Sequence, residues 1–315
     1  MKKRICYLIT FLIIIGINHK LIAQKENINI AFERNQDKSV DFSYKKELPG
    51  SYYLKLEFKN LTNCSPTQYS GVIKNDSGRL LKLRPIDSKQ PINFSYKYTF
   101  IRGNPYPKID KSFNYVLPFK AGKSITVLET TSLKEKYFNA EVDPNWKSYL
   151  VDRINADTVH SMRKGIVIEI VDKFETDSLD AYIYISSLNK IVIEHEDGTN
   201  SNYFGFDKKS IFVKLGQTVY PQSKLGVLSL FNNSVYRLYF DVSYLKEAAL
   251  NTGKQRSFNA KSQMEHITPF FYSANGPFVI IKNNNHIVEI DETTYFKEFT
   301  NREKKKHEHN PQDFI

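Results

Sequence analysis

Between Lys190 and Val242 the chain alternates short apolar runs with tight-turn signals, and this stretch constrains the fold more than any other. The runs are rich in β-branched and aromatic residues, and they are interrupted by Asp197-Gly198 and by single glycines. Such runs predict strands, and Asp-Gly between two of them predicts the tight turn of a hairpin. We therefore expect an antiparallel β-meander in this part of the chain.

The last run of the meander is expected to sort its side chains onto two faces of one strand. Residues i and i+2 of a strand share a face. Arg237, Tyr239 and Asp241 are therefore expected to line an open face of the sheet, while the apolar residues between them pack on the core. Beyond this strand, Ser243 is expected to cap a short helix over Tyr244–Leu250.

Strand signals also recur over residues 25–110, where alternating runs are separated by turn sequences such as Pro49-Gly50. Short strands at this spacing predict a small β-sandwich. No histidine occurs in this unit, so we interpret it as a structural or binding domain. A second antiparallel β domain is expected over residues 111–287, followed by a polar C-terminal tail over residues 288–315. The chain as a whole is therefore predicted to be all-β.

The N-terminus has the features of a secretory signal peptide over residues 1–24. Met1–Arg4 is basic, Cys6–Ile17 is apolar, and Ala23 supplies a small residue near the expected cleavage point. The apolar run is shorter than the ~20 residues that a spanning helix needs. The mature chain is therefore expected outside the cytoplasm, with no stable membrane span, and an uncleaved membrane anchor is the alternative.

The net charge of the mature chain is modest. Removal of residues 1–24 takes away four basic residues, so Lys and Arg together fall from 45 to 41 against 34 acidic residues. The remaining excess of seven positive charges favours weak, salt-sensitive attraction to acidic envelope polymers or membrane surfaces. We find no nucleic-acid-binding motif, so no nucleic-acid partner is expected.

The order and spacing of the meander resembles the lysostaphin/LytM-type zinc metallopeptidase family, whose members cut peptidoglycan cross-bridges. That family shows an apolar strand ending in His-x-Asp-Gly, a Tyr-x-His-Leu strand, a Gly-Gln-x-Val turn and a strand with His-Leu-His-Phe-Glu. The corresponding pieces of this chain are His195–Gly198, Tyr203–Phe206, Gly216–Val219 and Arg237–Asp241. The resemblance runs from Tyr115 to Ile281 and implies an antiparallel domain of the duplicated hybrid motif type.

The resemblance also shows which chemical groups this chain lacks. Gly205, Arg237 and Tyr239 stand where the family has histidines, Ser148 stands where a further one is expected, and Asp152 alone falls on a zinc ligand. A zinc hydrolase needs three protein ligands, a bound water and a base. Arginine offers no lone pair and stays protonated. The resemblance therefore implies a degenerate member with no cofactor and no catalytic residue.

The vestigial cleft is expected to contain Asp152, Gly205, Arg237, Tyr239 and Asp241. In the first hypothesis, the protein is a cell-envelope module that binds a peptidoglycan peptide or a partner cell-wall hydrolase. In that case Arg237 and Tyr239 either pair with a carboxylate and stack on its backbone, or simply fill the old cavity.

Two alternatives to this hypothesis remain open at the level of the sequence. The first is an active zinc endopeptidase whose ligands have moved to Asp152, His160 and His195. The second is a purely structural envelope protein. His160 and His195 are otherwise expected to be structural residues that hydrogen-bond to nearby groups.

Overall fold

The computed structural model describes residues 28–130, 146–175, 188–231, 234–247, 263–281 and 284–314. The expected signal peptide lies outside these residues. Within them, no helix is both long enough and apolar enough to cross a membrane. Nearly all of the regular structure is β-strand in antiparallel sheets, which confirms the all-β fold class.

Residues 28–102 form two three-stranded antiparallel sheets that share a core, as expected for a β-sandwich. One sheet has the order β1-β2-β5 and the other has the order β4-β3-β6. Phe42 of the first sheet packs with Leu56 of the second because alternate residues of each strand point inward. The strands are β1 (Ile28–Arg34), β2 (Val40–Lys46), β3 (Tyr52–Thr62), β4 (Gln68–Ile73), β5 (Ser77–Leu83) and β6 (Asn93–Arg102).

The rest of the chain is built around a 12-stranded sheet with the path β14-β11-β12-β13-β17-β9-β8-β20. A parallel pair, β7 (Asn114–Tyr115) and β19 (Phe270–Phe271), lies outside it. The strands of the large sheet are β8 (Ser124–Glu129), β9 (Tyr149–Arg153), β10 (Thr158–His160), β11 (Gly165–Val171), β12 (Asn189–Glu194), β13 (Asn200–Ile211), β14 (Thr218–Val219), β15 (Lys224–Leu228), β16 (Leu230–Phe231), β17 (Val235–Leu245), β18 (Met264–His266) and β20 (Asn284–Ile287).

Strand β17 has the two faces that its alternation predicts. Leu238, Phe240 and Val242 are fully buried in the main core, and the residues between them point to the other side. The helix expected over Tyr244–Leu250 is wrong at its start, because Tyr244 and Leu245 continue the strand and pair with β18. Pairing between distant segments thus overrides the local capping signal, and residues 248–250 lie outside the described residues.

The β-sandwich is attached to the large sheet at the turn between β12 and β13. Ser51 donates its backbone N–H to the Glu194 carboxylate at 2.7 Å, and its hydroxyl contacts the same carboxylate. Gly198 has a φ of +89°, which favours glycine, and a Cβ there would crowd the Asn104 side chain. The Asp-Gly turn therefore serves both as a hairpin turn and as a joint.

The residues expected to form a polar tail contain two helices, α1 (Glu292–Phe296) and α2 (Asn301–His309), and end in a 3₁₀ turn over Pro311–Phe314. Phe314 is buried, its ring lies 4.5 Å from that of Tyr220, and its carbonyl accepts the Ser223 hydroxyl at 2.8 Å. Helix α2 therefore has a polar surface, whereas the turn that follows it packs an apolar residue, Phe314, against Tyr220.

Candidate functional site

Asp152 and Arg237 lie directly opposite each other on the paired strands β9 and β17. Arg237 donates from Nε to Asp152 Oδ1 and from Nη2 to Asp152 Oδ2, both at 2.6 Å. This is the bidentate fork in which a guanidinium matches the geometry of a carboxylate. Tyr239, two residues along the same face, accepts a third hydrogen bond from Arg237 Nη1 at 3.3 Å. Three of the five residues of the expected cleft are therefore in direct contact.

Phe231 completes this cluster, and the sequence interpretation missed it. It lies on β16, in the hairpin that leads into β17, and its ring centroid is 4.3 Å from the Arg237 guanidinium carbon. The Tyr239 ring is 6.2 Å from the Phe231 ring. A cation over an aromatic face is attracted by the ring quadrupole. In the sequence, the only indication that Phe231 belongs to this cluster is its position beside the turn that precedes the strand carrying Arg237.

The Arg237–Asp152 pair is half-buried, with side-chain exposures of 22% for Arg237 and 32% for Asp152. The hydrogen bonds to Asp152 raise the pKa of Arg237 above its ordinary value, although burial opposes this. The guanidinium is therefore a permanent positive charge on this face of β17. It already has a negative partner within the protein, which limits its attraction for a second carboxylate.

Gly205 contributes its backbone conformation to the cleft. Its φ is +110°, and a Cβ built there would lie well under 3.0 Å from the Arg237 carbonyl oxygen. At this point β13 changes partners, because Phe204 pairs with β17 whereas Phe206 pairs with β15. Ser229 fixes the crossing by donating its N–H to the Gly205 carbonyl at 2.8 Å. This backbone accommodates no side chain at position 205, so a histidine does not fit there.

Asp241 shares the face of Arg237 and Tyr239 but belongs to a separate, buried polar cluster. Its Oδ1 accepts from Asn202 Nδ2 at 2.6 Å and lies 3.8 Å from His266 Nε2. Burial raises the pKa of Asp241 to about 7, against the opposing effect of the Asn202 hydrogen bond. The structure therefore divides the predicted cleft residues into an arginine cluster and a buried carboxyl.

No protein-family model and no curated protein matches this chain. One similar solved structure is a chain of the SpoIIQ–SpoIIIAH pore-forming complex, with 18% identity over 41% of this chain and 83% of that chain and a TM-score of 0.27. A zinc-containing peptidase from Vibrio cholerae has 14% identity over 68% of this chain and 74% of that chain, with a TM-score of 0.24.

A structure described as an M23 peptidase, from Pseudomonas aeruginosa, is also similar. It has 13% identity over 63% of this chain and 84% of that chain, with a TM-score of 0.25. At these identities and TM-scores, none of the three likenesses establishes a family or an activity for this chain.

The two histidines near the meander are engaged in hydrogen bonds. His195 Nδ1 lies 2.7 Å from the Lys164 carbonyl and Nε2 lies 2.7 Å from Ser201 Oγ. A carbonyl only accepts, so Nδ1 carries the proton and Nε2 accepts from the serine hydroxyl. Burial lowers the pKa of His195 to about 3, which keeps the ring neutral. His160 Nδ1 lies 3.1 Å from the Thr158 carbonyl.

A zinc ion does not fit the residues of the cleft. Both oxygens of Asp152 already accept from Arg237, and the guanidinium is a cation where a second cation would have to bind. Among the described residues, no three His, Cys, Asp or Glu side chains gather into a group able to hold a metal ion. The alternative ligand set of Asp152, His160 and His195, which all lie in the described part of the chain, is therefore not assembled.

Proposed function

We propose that this protein is an exported, non-catalytic peptidase-like module of the cell envelope. Its ligand is a peptidoglycan peptide or a partner cell-wall hydrolase. The observation that carries the proposal is the bidentate pair between Arg237 and Asp152 in the cleft. Because Arg237 neutralises the Asp152 carboxylate, that carboxylate is not available to a metal ion.

The same cluster supports the absence of catalysis in this proposal. A metal-assisted hydrolysis needs an open coordination position and a nearby base. Arg237 stays protonated, and the backbone at Gly205 leaves no space for a base at that position. The side chains that remain are therefore suited to contact a ligand and not to cleave it.

The export and the envelope ligand rest on the sequence. The basic start and apolar run of residues 1–24 support secretion, and the excess of seven positive charges in the mature chain supports contact with an acidic polymer. N-terminal sequencing of the protein from the extracytoplasmic fraction tests the first point. Cleavage after Ala23 or Gln24 is the expected result.

Purified exported protein, incubated with insoluble peptidoglycan, tests binding and turnover together. We expect the protein to co-sediment with the polymer without releasing new amino or reducing ends. Turnover that requires zinc and disappears in Asp152→Ala would overturn the proposal in favour of an active endopeptidase. Failure to bind either peptidoglycan or any cell-wall hydrolase would overturn it in favour of a purely structural protein.

A further inference from the structure

A cavity of about 420 Å³ lies away from the arginine cluster, between the segment that enters β7 and the segment that joins β18 to β19. Strand β17 connects the two places, since it carries Arg237 in the cleft and Tyr244 in the cavity wall. Seven residues of strand separate them, which is roughly 23 Å along the chain. The cavity is therefore a distinct site.

The walls of this cavity combine aromatic rings with a few polar groups. Phe113, Tyr115, Tyr244 and Phe270 supply the rings, and the Phe270 side chain is 40% exposed. Ligand sites in proteins are concave and mostly apolar, with a small number of placed polar groups, and they begin at about 300 Å³. The cavity meets this description and has room for a short peptide segment.

Lys111 is the distinctive charge of the cavity. In the described part of the chain no acidic side chain lies within salt-bridge distance of its ammonium, in contrast to Lys147 and Lys297. Lys147 lies 2.5 Å from Glu129, and Lys297 lies 3.4 Å from Asp110.

The carboxylate next to Lys111 in sequence is also committed elsewhere. Asp110 accepts the Ser112 N–H at 2.9 Å and the Ser112 hydroxyl at 2.6 Å, and these bonds lower the pKa of Asp110. Its oxygens face Ser112 and Lys297. Lys111 therefore remains available to an anion from outside the protein.

A comparison of the two cations indicates where an incoming carboxylate binds. At Arg237 it must compete with Asp152, which already occupies the guanidinium in a bidentate pair. At Lys111 it has no acidic side chain of the described residues to displace. The aromatic walls then receive the apolar part of the ligand.

We infer that this cavity, and not the arginine cluster, binds the carboxylate end of a short peptide, with Lys111 as the anion-binding residue. The inference deepens the proposed function and rests on it, because it gives the peptide ligand a defined place. The proposed function itself allows binding in the cleft or through a protein partner. The two ideas are therefore separable.

The test is an NMR titration of the exported protein with acetyl-trialanine, compared with the same peptide carrying a C-terminal amide. A charge-assisted hydrogen bond contributes about 1.5–3 kcal/mol, which corresponds to a loss of roughly tenfold or more in affinity for the amide. Lys111→Gln is expected to lower the affinity for the free acid to that of the amide. Lys108→Gln, an exposed lysine outside the cavity wall, is the matched control and is expected to change nothing.

The outcomes distinguish this inference from the proposed function. Equal binding of acid and amide, or loss of binding in Arg237→Gln with Lys111→Gln unaffected, overturns the cavity assignment. If neither peptide binds while the protein still co-sediments with peptidoglycan, the inference fails and the proposed function stands. Absence of both kinds of binding overturns both.

Discussion

Arg163 and Arg237 each hold a carboxylate in a bidentate pair, but the two clusters lie at different depths. The Arg163 side chain is 3% exposed and contacts Asp197 at 2.8 Å and Glu298 at 2.7 Å. The Arg237 side chain is 22% exposed and contacts only Asp152 among the acids of the described residues. The first cluster is thus sealed from water, and the second faces it.

The two clusters also differ in what they connect. Arg163 contacts Asp197 in the β12–β13 turn and Glu298 in the segment between α1 and α2. Glu298 lies 135 residues after Arg163, so this cluster joins distant parts of the chain. Its guanidinium carbon also lies 3.8 Å from the Phe113 ring centroid. Arg237 and Asp152 stand on strands that already share backbone hydrogen bonds. The deep cluster therefore holds the fold together, whereas the cleft cluster sets the chemistry of a surface.

The largest expected effect comes from Arg163→Met. Removing one partner of a buried ion pair leaves unpaired charges and costs about 3–5 kcal/mol of unfolding free energy. Urea denaturation of the variant and of Arg237→Met measures the contrast, and the exposed site is expected to lose about 1 kcal/mol or less. Equal losses would show that depth does not separate the two clusters. If Arg163→Met does not fold, Glu298→Gln gives the same contrast in milder form.

Gly205→Ala tests whether the backbone around position 205 leaves no space for a side chain. Gly216 is a matched control, since its φ is +82° and a Cβ there meets nothing within 4 Å. Strain at a positive φ costs on the order of 1–3 kcal/mol, which both alanine variants incur. Gly205→Ala adds the collision with the Arg237 carbonyl, so it is expected to lose more stability than Gly216→Ala. Similar melting temperatures for the two variants would contradict this geometry.

Asp241 extends the comparison to a carboxyl that is buried without a bidentate partner. Its pKa of about 7 exceeds the ordinary 3.8, so between these pH values the folded state holds a proton that the unfolded state has released. Its contribution to stability is therefore full below about pH 4 and is lost as the pH rises toward 7, with a slope of at most about 1.4 kcal/mol per pH unit.

Asp241→Asn removes this titration. The difference in unfolding free energy between wild type and variant is expected to change between pH 4 and pH 7 and to be constant above that range. His266 Nε2 lies 3.8 Å from this carboxyl, so the comparison is repeated in a His266→Gln background to separate Asp241 from a coupled pair. A difference that does not vary with pH would place the Asp241 pKa near its ordinary value.

The smallest effect is expected from a double-mutant cycle on Asp152→Asn and Arg237→Gln. Partly exposed pairs couple by about 0.2–1 kcal/mol, and the coupling falls with added salt. The Glu129–Lys147 pair, with side-chain exposures of 32% and 30%, is a matched reference. Coupling of several kcal/mol at Asp152–Arg237 would mean that the cleft cluster stabilises the fold as the deep cluster does.

The sequence was sufficient for the class of fold and for the two faces of β17, because alternation of apolar residues is a local signal. It also indicated that Arg237 and Tyr239 share a face. It did not reveal that Asp152 stands opposite Arg237, since the register of β9 against β17 is set by long-range pairing.

Three other features were beyond the local signals. Tyr244 stays in the strand because β18, brought from a distant part of the chain, pairs with it. The docking of Phe314 depends on Tyr220, about ninety residues away. The lack of space for a side chain at Gly205 arises where β13 changes its strand partner. In the sequence, only the glycine itself indicates this change.

A calorimetric titration of the purified protein with Zn²⁺, run beside Asp152→Ala, tests whether the pair with Arg237 keeps Asp152 from binding a metal ion. Because imidazoles readily ligate transition metals, both proteins also carry His307→Ala and His309→Ala, which remove the histidines at the end of α2. We expect identical titrations, with no zinc bound through Asp152. One zinc ion per chain, bound before the Asp152 change and lost after it, would contradict this expectation.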